Sequence, residues 1–446
     1  MSGLPDTWTE VPIGDVCAVV GGSTPRTSVA EYWDGDIPWV TPDDLAKDRS
    51  QYVATGRRCL TESGYASCST QLLPPGTVLL TSRAPIGYVA IAKQEICTNQ
   101  GFKSFVPPIG LSSKYLYWYL KWATPMIRDM GSGTTFSEIS GKVAKTIPLR
   151  IPPTAEQERI VAAIEERFSR LDAGVVAVER ALVGIDGWIN STVQTAFKGV
   201  AETTEAEETT LGDMCERVTK GTTPTSIGHR FTDEGINFVK VESIVDGRII
   251  HSKCAHISEA AHADLERSQL QIDDVLVSIA GTLGRVGIVS EGDVPANTNQ
   301  ALAIVRLRDP LLSRFVMAWL GSPSIQSVLR GGGKGVGMGN LTLEQIRKLR
   351  VVLPTPGQRH LALERINDAK DAHARTVSGL AEQLARANRL RLSILLEAFS
   401  GKLVPQDPSD ESSSRLLEHI AIERACISKP TSNRKPRTPF RKKTEQ

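Results

Sequence analysis

The chain has 446 residues, 40% of them hydrophobic and 23% charged, with a formal net charge of +2. This length supplies two or three cores, and no apolar run reaches the ~20 residues of a membrane-spanning helix. A balance so near neutral excludes a uniformly basic surface, and the seven cysteines form no CxxC or His-rich spacing that would indicate a zinc site or a disulfide framework. The start, "MSGLPDTWTE", lacks the basic and apolar segments of a signal peptide, so the expected compartment is the cytoplasm.

In chain order, residues 1–153 read as a mixed α+β module. "GTVLLTS" and "YVAIA" are short strands joined by a glycine-containing turn, which predicts a hairpin. "SKYLYWYLKWATPMIRDM" predicts a helix interrupted or kinked at Pro125. A glycine-rich loop, "GSGTTFSEIS", and a short strand, "IPLRIPP", close the module.

Residues 154–199 predict a long helix. Ile164, Phe168, Leu171, Val175, Val178, Leu182, Ile185 and Ile189 recur at alternating spacings of 4 and 3, a heptad seam. Thr154 with Gln157 has the capping-box pattern, and Gly199 is placed to end the helix by taking φ > 0. An acidic linker, 200–208, follows.

The remainder repeats this order. "IGDVCAVVGGSTP" (13–25) aligns with "LGDMCERVTKGTTP" (211–224), "VLLTSRAPIGYVAI" with "VLVSIAGTLGRVGIV", and Thr-Asn-Gln occurs at 98–100 and 298–300. The offsets lie between 197 and 202, far longer than a solenoid unit, so a whole module was duplicated with its trailing helix. The second module is expected at 209–355, with a helix break at Pro323 and a loop "GGGKGVGMGNLT". Its helix is expected at 356–401, with Ile366, Val377, Leu380, Leu384, Ala387 and Ile394 on a stripe that His373 and Arg391 weaken, and with Gly401 as terminator. Residues 402–446 form a C-terminal segment whose tail from 429 carries seven Lys/Arg and one Glu. Connectivity requires the two helices to run antiparallel, which predicts two α+β heads on a two-helix coiled-coil spacer with approximate twofold symmetry.

The repeated order, with "LPDTW", "SRAPIGYVAI", "IPLRIPPTAEQERIVAAIEERF" and the closing "LLEAFSGKLVPQDP", resembles the DNA-specificity subunits of type I restriction-modification systems over roughly residues 4–408. The resemblance implies two tandem target-recognition domains, each reading half of a bipartite double-stranded DNA target. The spacer helices would hold two modification (methyltransferase) subunits, with or without two ATP-dependent restriction subunits. It also implies a noncatalytic chain, with S-adenosylmethionine, ATP and Mg bound by the partners. The sequence agrees: it contains no Asn-Pro-Pro-aromatic motif, no GxxxxGK[ST] and no GxGxxG.

Candidate DNA contacts in the first module are Arg83, Ser132, Thr134, Thr135, Ser137 and Lys142. In the second they are Arg285, Lys334, Asn340 and Thr342. Arginine suits bidentate contact with guanine, and hydroxyls, amides and glycine-exposed N–H groups suit base edges and phosphates. An ordinary surface loop is the competing reading of the glycine-rich segments. Thr-Asn-Gln, repeated in modules that should read different sequences, is expected to be a structural turn. Each head is close to neutral, 14 Lys+Arg against 13 Asp+Glu in 1–150 and 16 against 15 in 209–353, so any cationic face must arise by segregation. Val176, Val183, Leu390, Leu392, Leu395, Leu396 and Phe399 exceed what one seam uses and are candidates for docking or head packing. The alternative classes are a two-headed protein-binding scaffold and a self-contained methyltransferase; the missing cofactor motifs count against the latter.

Overall fold

A computed structural model of the chain describes residues 3–83, 85–131, 138–201, 207–331 and 340–427. It divides into two compact units, Met1–Val176 with Leu384–Gln446, and Ala177–Gln383. Each unit therefore contains part of both long helices, Thr154–Ala201 and Pro356–Phe399.

In the first unit, the opening strand Thr9–Pro12 pairs antiparallel with the closing strand Pro148–Ile151. Between them lies a five-stranded sheet, in the order Ala18–Gly21, Phe102–Val106, Val78–Thr81, Val89–Ala92 and Tyr52–Val53. Trp33–Val40 lies between Arg58–Leu60 and Cys97–Thr98 in a separate three-stranded sheet. Strands 78–81 and 89–92 form the expected antiparallel hairpin. The helix Ser113–Asp129 packs on it and runs through Pro125, with Leu120, Ala123 and Ile127 buried around the proline. Tertiary burial outweighs the lost backbone donor here.

The second unit repeats the scheme. Glu207–Thr210 pairs with Arg350–Leu353, and a four-stranded sheet orders Cys215–Lys220, Leu302–Leu307, Val275–Ser278 and Val286–Ile288. Here the helix does break, into Ser313–Leu320 and Pro323–Gly331. Ser322 sits in the break, its Oγ donating to the Trp319 carbonyl at 2.6 Å and its own carbonyl accepting from Gln326 N at 2.9 Å.

The heptad seam of the first long helix is visible residue by residue: Ile164 is buried, and 168, 171, 175, 178, 182, 185 and 189 are each partly covered between exposed neighbours. In the first unit Arg167 meets Glu397 at 3.4 Å and Asp172 pairs with Arg391; in the second Asp186 meets His373 at 2.8 Å, and Val193 and Ala196 pack on Ile366. Numbers rise along one helix as they fall along the other, so the pair is antiparallel within each unit. His373 and Arg391, expected to weaken the seam, instead each reach a carboxylate on the facing helix.

Two expectations about helix ends need correction. Gly199 lies inside the first long helix, which continues to Ala201, whereas Gly401 takes φ 73°. Thr154 and Gln157 do not form a capping box: both turn to the preceding loop, Thr154 Oγ1 and Gln157 Nε2 each donating to the Gly110 carbonyl at 3.2 Å, while Gln157 Oε1 accepts from Ser112 N at 2.9 Å.

The end of the second helix is tied into the first unit by Phe399, which is fully buried with ring centroids 5.2–5.5 Å from Tyr119, Trp122 and Tyr115. Phe399→Ala should destabilise that unit by about 3–5 kcal/mol, the cost of emptying a well-packed aromatic site. Chemical denaturation followed by tryptophan fluorescence checks this, and a loss under 1 kcal/mol would contradict the packing described.

Candidate nucleic-acid interface

The hairpin turn is built the same way in both units. In the first, Thr81 Oγ1 donates to the Pro85 carbonyl at 2.7 Å and accepts from Gly87 N at 3.1 Å and Tyr88 N at 2.9 Å. In the second, Ser278 Oγ donates to the Thr282 carbonyl at 2.5 Å and accepts from Arg285 N at 2.7 Å. Gly87 and Gly284 take φ of 108° and 78°, and each lies against a helix side chain, Thr124 and Gln326, where a Cβ would collide.

The segment after each glycine-rich loop is stitched to this turn. Ile139 N donates to the Ser82 carbonyl at 3.0 Å, and Leu341 N to the Ile279 carbonyl at 2.9 Å. Each fold thus brings its hairpin turn and the end of its loop to one place.

The candidate residues distribute unevenly around that place. Arg83 is partly exposed and forms a β-bridge with Glu138, its Nη1 standing 4.0 Å from the carboxylate. Lys142 is exposed on the short helix Gly141–Lys145. Asn340 is exposed, and Thr342 caps the helix Leu343–Arg347 by accepting from Gln345 N at 3.2 Å. Arg285 directs Nη1 into the protein, to the carbonyls of Val241 at 2.9 Å and Ile244 at 3.2 Å, while lining a cleft with Glu242, Gly281, Thr282 and Asn299. Ser132, Thr134, Thr135, Ser137 and Lys334 lie outside the described residues.

The repeated Thr-Asn-Gln is a structural turn in both units. Thr98 and Thr298 are buried, and Asn99 and Asn299 accept through Oδ1 from Gly101 N at 2.9 Å and Ala301 N at 3.1 Å. Gln100 and Gln300 accept from Thr24 and Thr223.

One charged group beside the first turn was not anticipated. Lys103, on strand Phe102–Val106, is buried and donates to Ser82 Oγ at 3.3 Å, with Glu138 Oε1 at 3.8 Å. The signal was present in "FKSFV", where a lysine interrupts a run that is otherwise mostly buried.

Along the long helices, Leu395 and Phe399 are absorbed in the first unit's core. Val176, Leu390, Leu392 and Leu396 stay exposed in that unit, and Val183, Trp188 and Leu361 in the other. Among the described residues no helix is long and apolar enough to cross a membrane, and no cluster of three or more His, Cys, Asp or Glu is placed to hold a metal ion.

The arrangement, two copies of one α+β unit each closed by parts of two long helices, matches known proteins. Residues 5–175 match the family model for the type I restriction modification DNA specificity domain. The chain is 45% identical over 163 residues to the type I restriction enzyme MjaIX specificity subunit of Methanocaldococcus jannaschii, a match that spans 36% of this chain and 38% of that one. It is 24% identical over 463 residues to the EcoBI specificity subunit of Escherichia coli, covering 96% and 95% of the two chains. A solved chain from a type I restriction-modification system shares the fold, with a TM-score of 0.73 at 18% identity over 90% of this chain and 100% of that one. Residues 5–175 thus match the specificity-domain family, and the resemblance of the chain to type I specificity subunits is borne out.

The two turn arginines should separate on substitution. Arg285→Met removes donors from two carbonyls and should lower stability by about 1–3 kcal/mol, whereas Arg83→Met should stay within about 0.5 kcal/mol. Equilibrium urea unfolding of the two variants decides; equal losses would show that the two arginines do the same structural work.

Proposed function

We propose that this chain is the sequence-specific DNA-binding subunit of a type I restriction-modification complex, each module reading one half of a bipartite double-stranded target. The observation that carries this is the duplicated unit, present in a chain similar along 96% of its length to a type I specificity subunit. Two copies of one scaffold with different residues at the same hairpin turn suit two different half-sites. DNA contacts come from the turn and loop residues: Arg83, Lys142 and the Ser132–Ser137 segment in the first module, and Lys334, Asn340, Thr342 and the free donors of Arg285 in the second. Near-neutral modules leave part of the phosphate neutralisation to partner subunits.

The paired long helices set the spacing of the half-sites. Their exposed apolar residues, Leu390, Leu392 and Leu396 with Val183 and Trp188, dock two methyltransferase subunits. Two ATP-dependent restriction subunits join where the system also cuts DNA. The chain itself is noncatalytic and works in the cytoplasm; S-adenosylmethionine, ATP and Mg act on its partners.

Co-expression with the modification subunits and mapping of methylated adenines tests the reading. A bipartite modified sequence is expected, and exchanging 209–353 for the matching module of a relative should change one half-site only. Alteration of both halves, or methylation by the purified chain alone given S-adenosylmethionine, would overturn it.

A further inference from the structure

Lys103 lies on the second strand of the five-stranded sheet, paired with Leu80 of the central strand on one side and Gly21 of the edge strand on the other. Cross-strand partners project from the same face. Among the described residues, a Cβ at Gly21 would meet nothing within 4 Å, so the lysine is open on its edge-strand side, whereas Leu80 on its other side is fully buried. The Lys103 side chain is only 11% exposed, yet among the described residues its partners satisfy it poorly: one hydrogen bond of 3.3 Å to Ser82 Oγ and a carboxylate oxygen at 3.8 Å. Glu138 spreads its two oxygens over two cations, Oε1 toward Lys103 and Oε2 toward Arg83 at 4.0 Å. Two cations facing one carboxylate leave this three-residue cluster with a formal charge of +1. Burial pulls the Lys103 pKa below the usual lysine range, opposed by Glu138 and reinforced by Arg83. The ammonium is therefore held at an energetic cost that an arriving anion would relieve.

The second unit identifies what is particular to this cluster. Ladder pairing and the two stitching hydrogen bonds equate Lys103 with Ala303, Ser82 with Ile279 and Glu138 with Asn340. Ala303 and Ile279 are buried apolar residues there, so the fold does not require a charge at this position. On the same rung, the strand partner of Ala303 is the exposed Lys220, where the first unit has Gly21. Each unit thus places one lysine on this face, from different strands.

We propose that Lys103 and Arg83 form a phosphate-binding site of the first module, taking one backbone phosphate of double-stranded DNA, with Glu138 holding both cations in place in the free protein. This rests on the DNA-binding reading above and adds a residue to it. A single phosphate carries the −1 that balances the cluster, and a lysine ammonium recognises it as a point charge without reading sequence.

The test uses the full chain with its modification subunits and a duplex carrying the mapped target. Lys103→Met keeps the aliphatic stem. It should weaken binding about tenfold at low salt, reduce the slope of log K against log [salt] by about one, affect matched and unrelated duplexes alike, and leave the methylated sequence unchanged. Glu138→Gln, which keeps both cations and the fold, should tighten binding about two- to threefold at low salt. Wild-type affinity and salt slope in Lys103→Met, no tightening in Glu138→Gln, or a changed first half-site would each overturn the proposal. Wild-type complex that binds no DNA would instead defeat the functional reading itself.

Discussion

The constraint on which the rest of the structure depends is that the first unit does not close on one continuous stretch of sequence. The first unit's core is completed by Ile394, Leu395, Ala398, Phe399 and Leu403, which follow the whole second module in the chain. Glu156 makes the dependence concrete: its buried carboxylate accepts from Trp8 Nε1 at 3.0 Å and from Gln406 Nε2 at 2.6 Å, joining the beginning of the chain, the first long helix and the segment after the second. Burial raises its pKa against the pull of those two donors and of Arg159. Arg159 is in turn paired with Asp410 at 2.5 Å. The second unit, by contrast, is one continuous stretch whose two ends meet, with Val193 and Ala196 of the first long helix against Ile366 of the second.

That arrangement explains which features the sequence announced. The heptad seam was legible because burial in a helix pair follows a fixed period, and the duplication was legible because strands, turns and closing helices recur in order. Hairpins were legible from paired apolar runs and a turn glycine. What failed was tertiary in origin. Gly199 has the neighbours of a helix terminator, but nothing there forces φ > 0 and the helix continues; at Gly401 the Pro5 ring occupies the place of a Cβ and the backbone turns. Thr154 and Gln157 had a better use than a capping box, since the loop at 110–112 offered both a carbonyl and an N–H.

The candidate interface was legible in place more than in residues. Loop and hairpin were expected to carry the site, and the fold joins them through Ser82 to Ile139 and Ile279 to Leu341. Individual side chains depend on what the sequence cannot pair. Arg285 is spent on two carbonyls of a neighbouring segment, and Thr342 on a helix start. Lys103 escaped notice because its meaning requires Ser82 and Glu138, which are 21 and 35 positions away in sequence and adjacent only across the ladder.

Comparing the two units at equivalent positions separates what the scaffold demands from what it leaves free. Gly22 and Gly221 cannot carry a Cβ, because carbonyls at Thr98 and Asn99, or at Thr298, lie 2.0–2.2 Å from where it would stand. The carbonyls of Thr98 and Thr298 accept from Ser23 N and Thr222 N, and the hydroxyls of Thr81 and Ser278 each donate to a carbonyl of their own turn. These positions fix the approach of the strand ends and the shape of the turn, so changing them would cost the fold. A few ångströms away the demand disappears: Arg83 stands where the other unit has Ala280, Lys103 where it has Ala303, and Gly21 where it has Lys220. A duplicated module with a rigid rung and a permissive neighbour can alter what it touches without altering how it folds. That is the physical condition for two copies of one scaffold to acquire different ligand contacts.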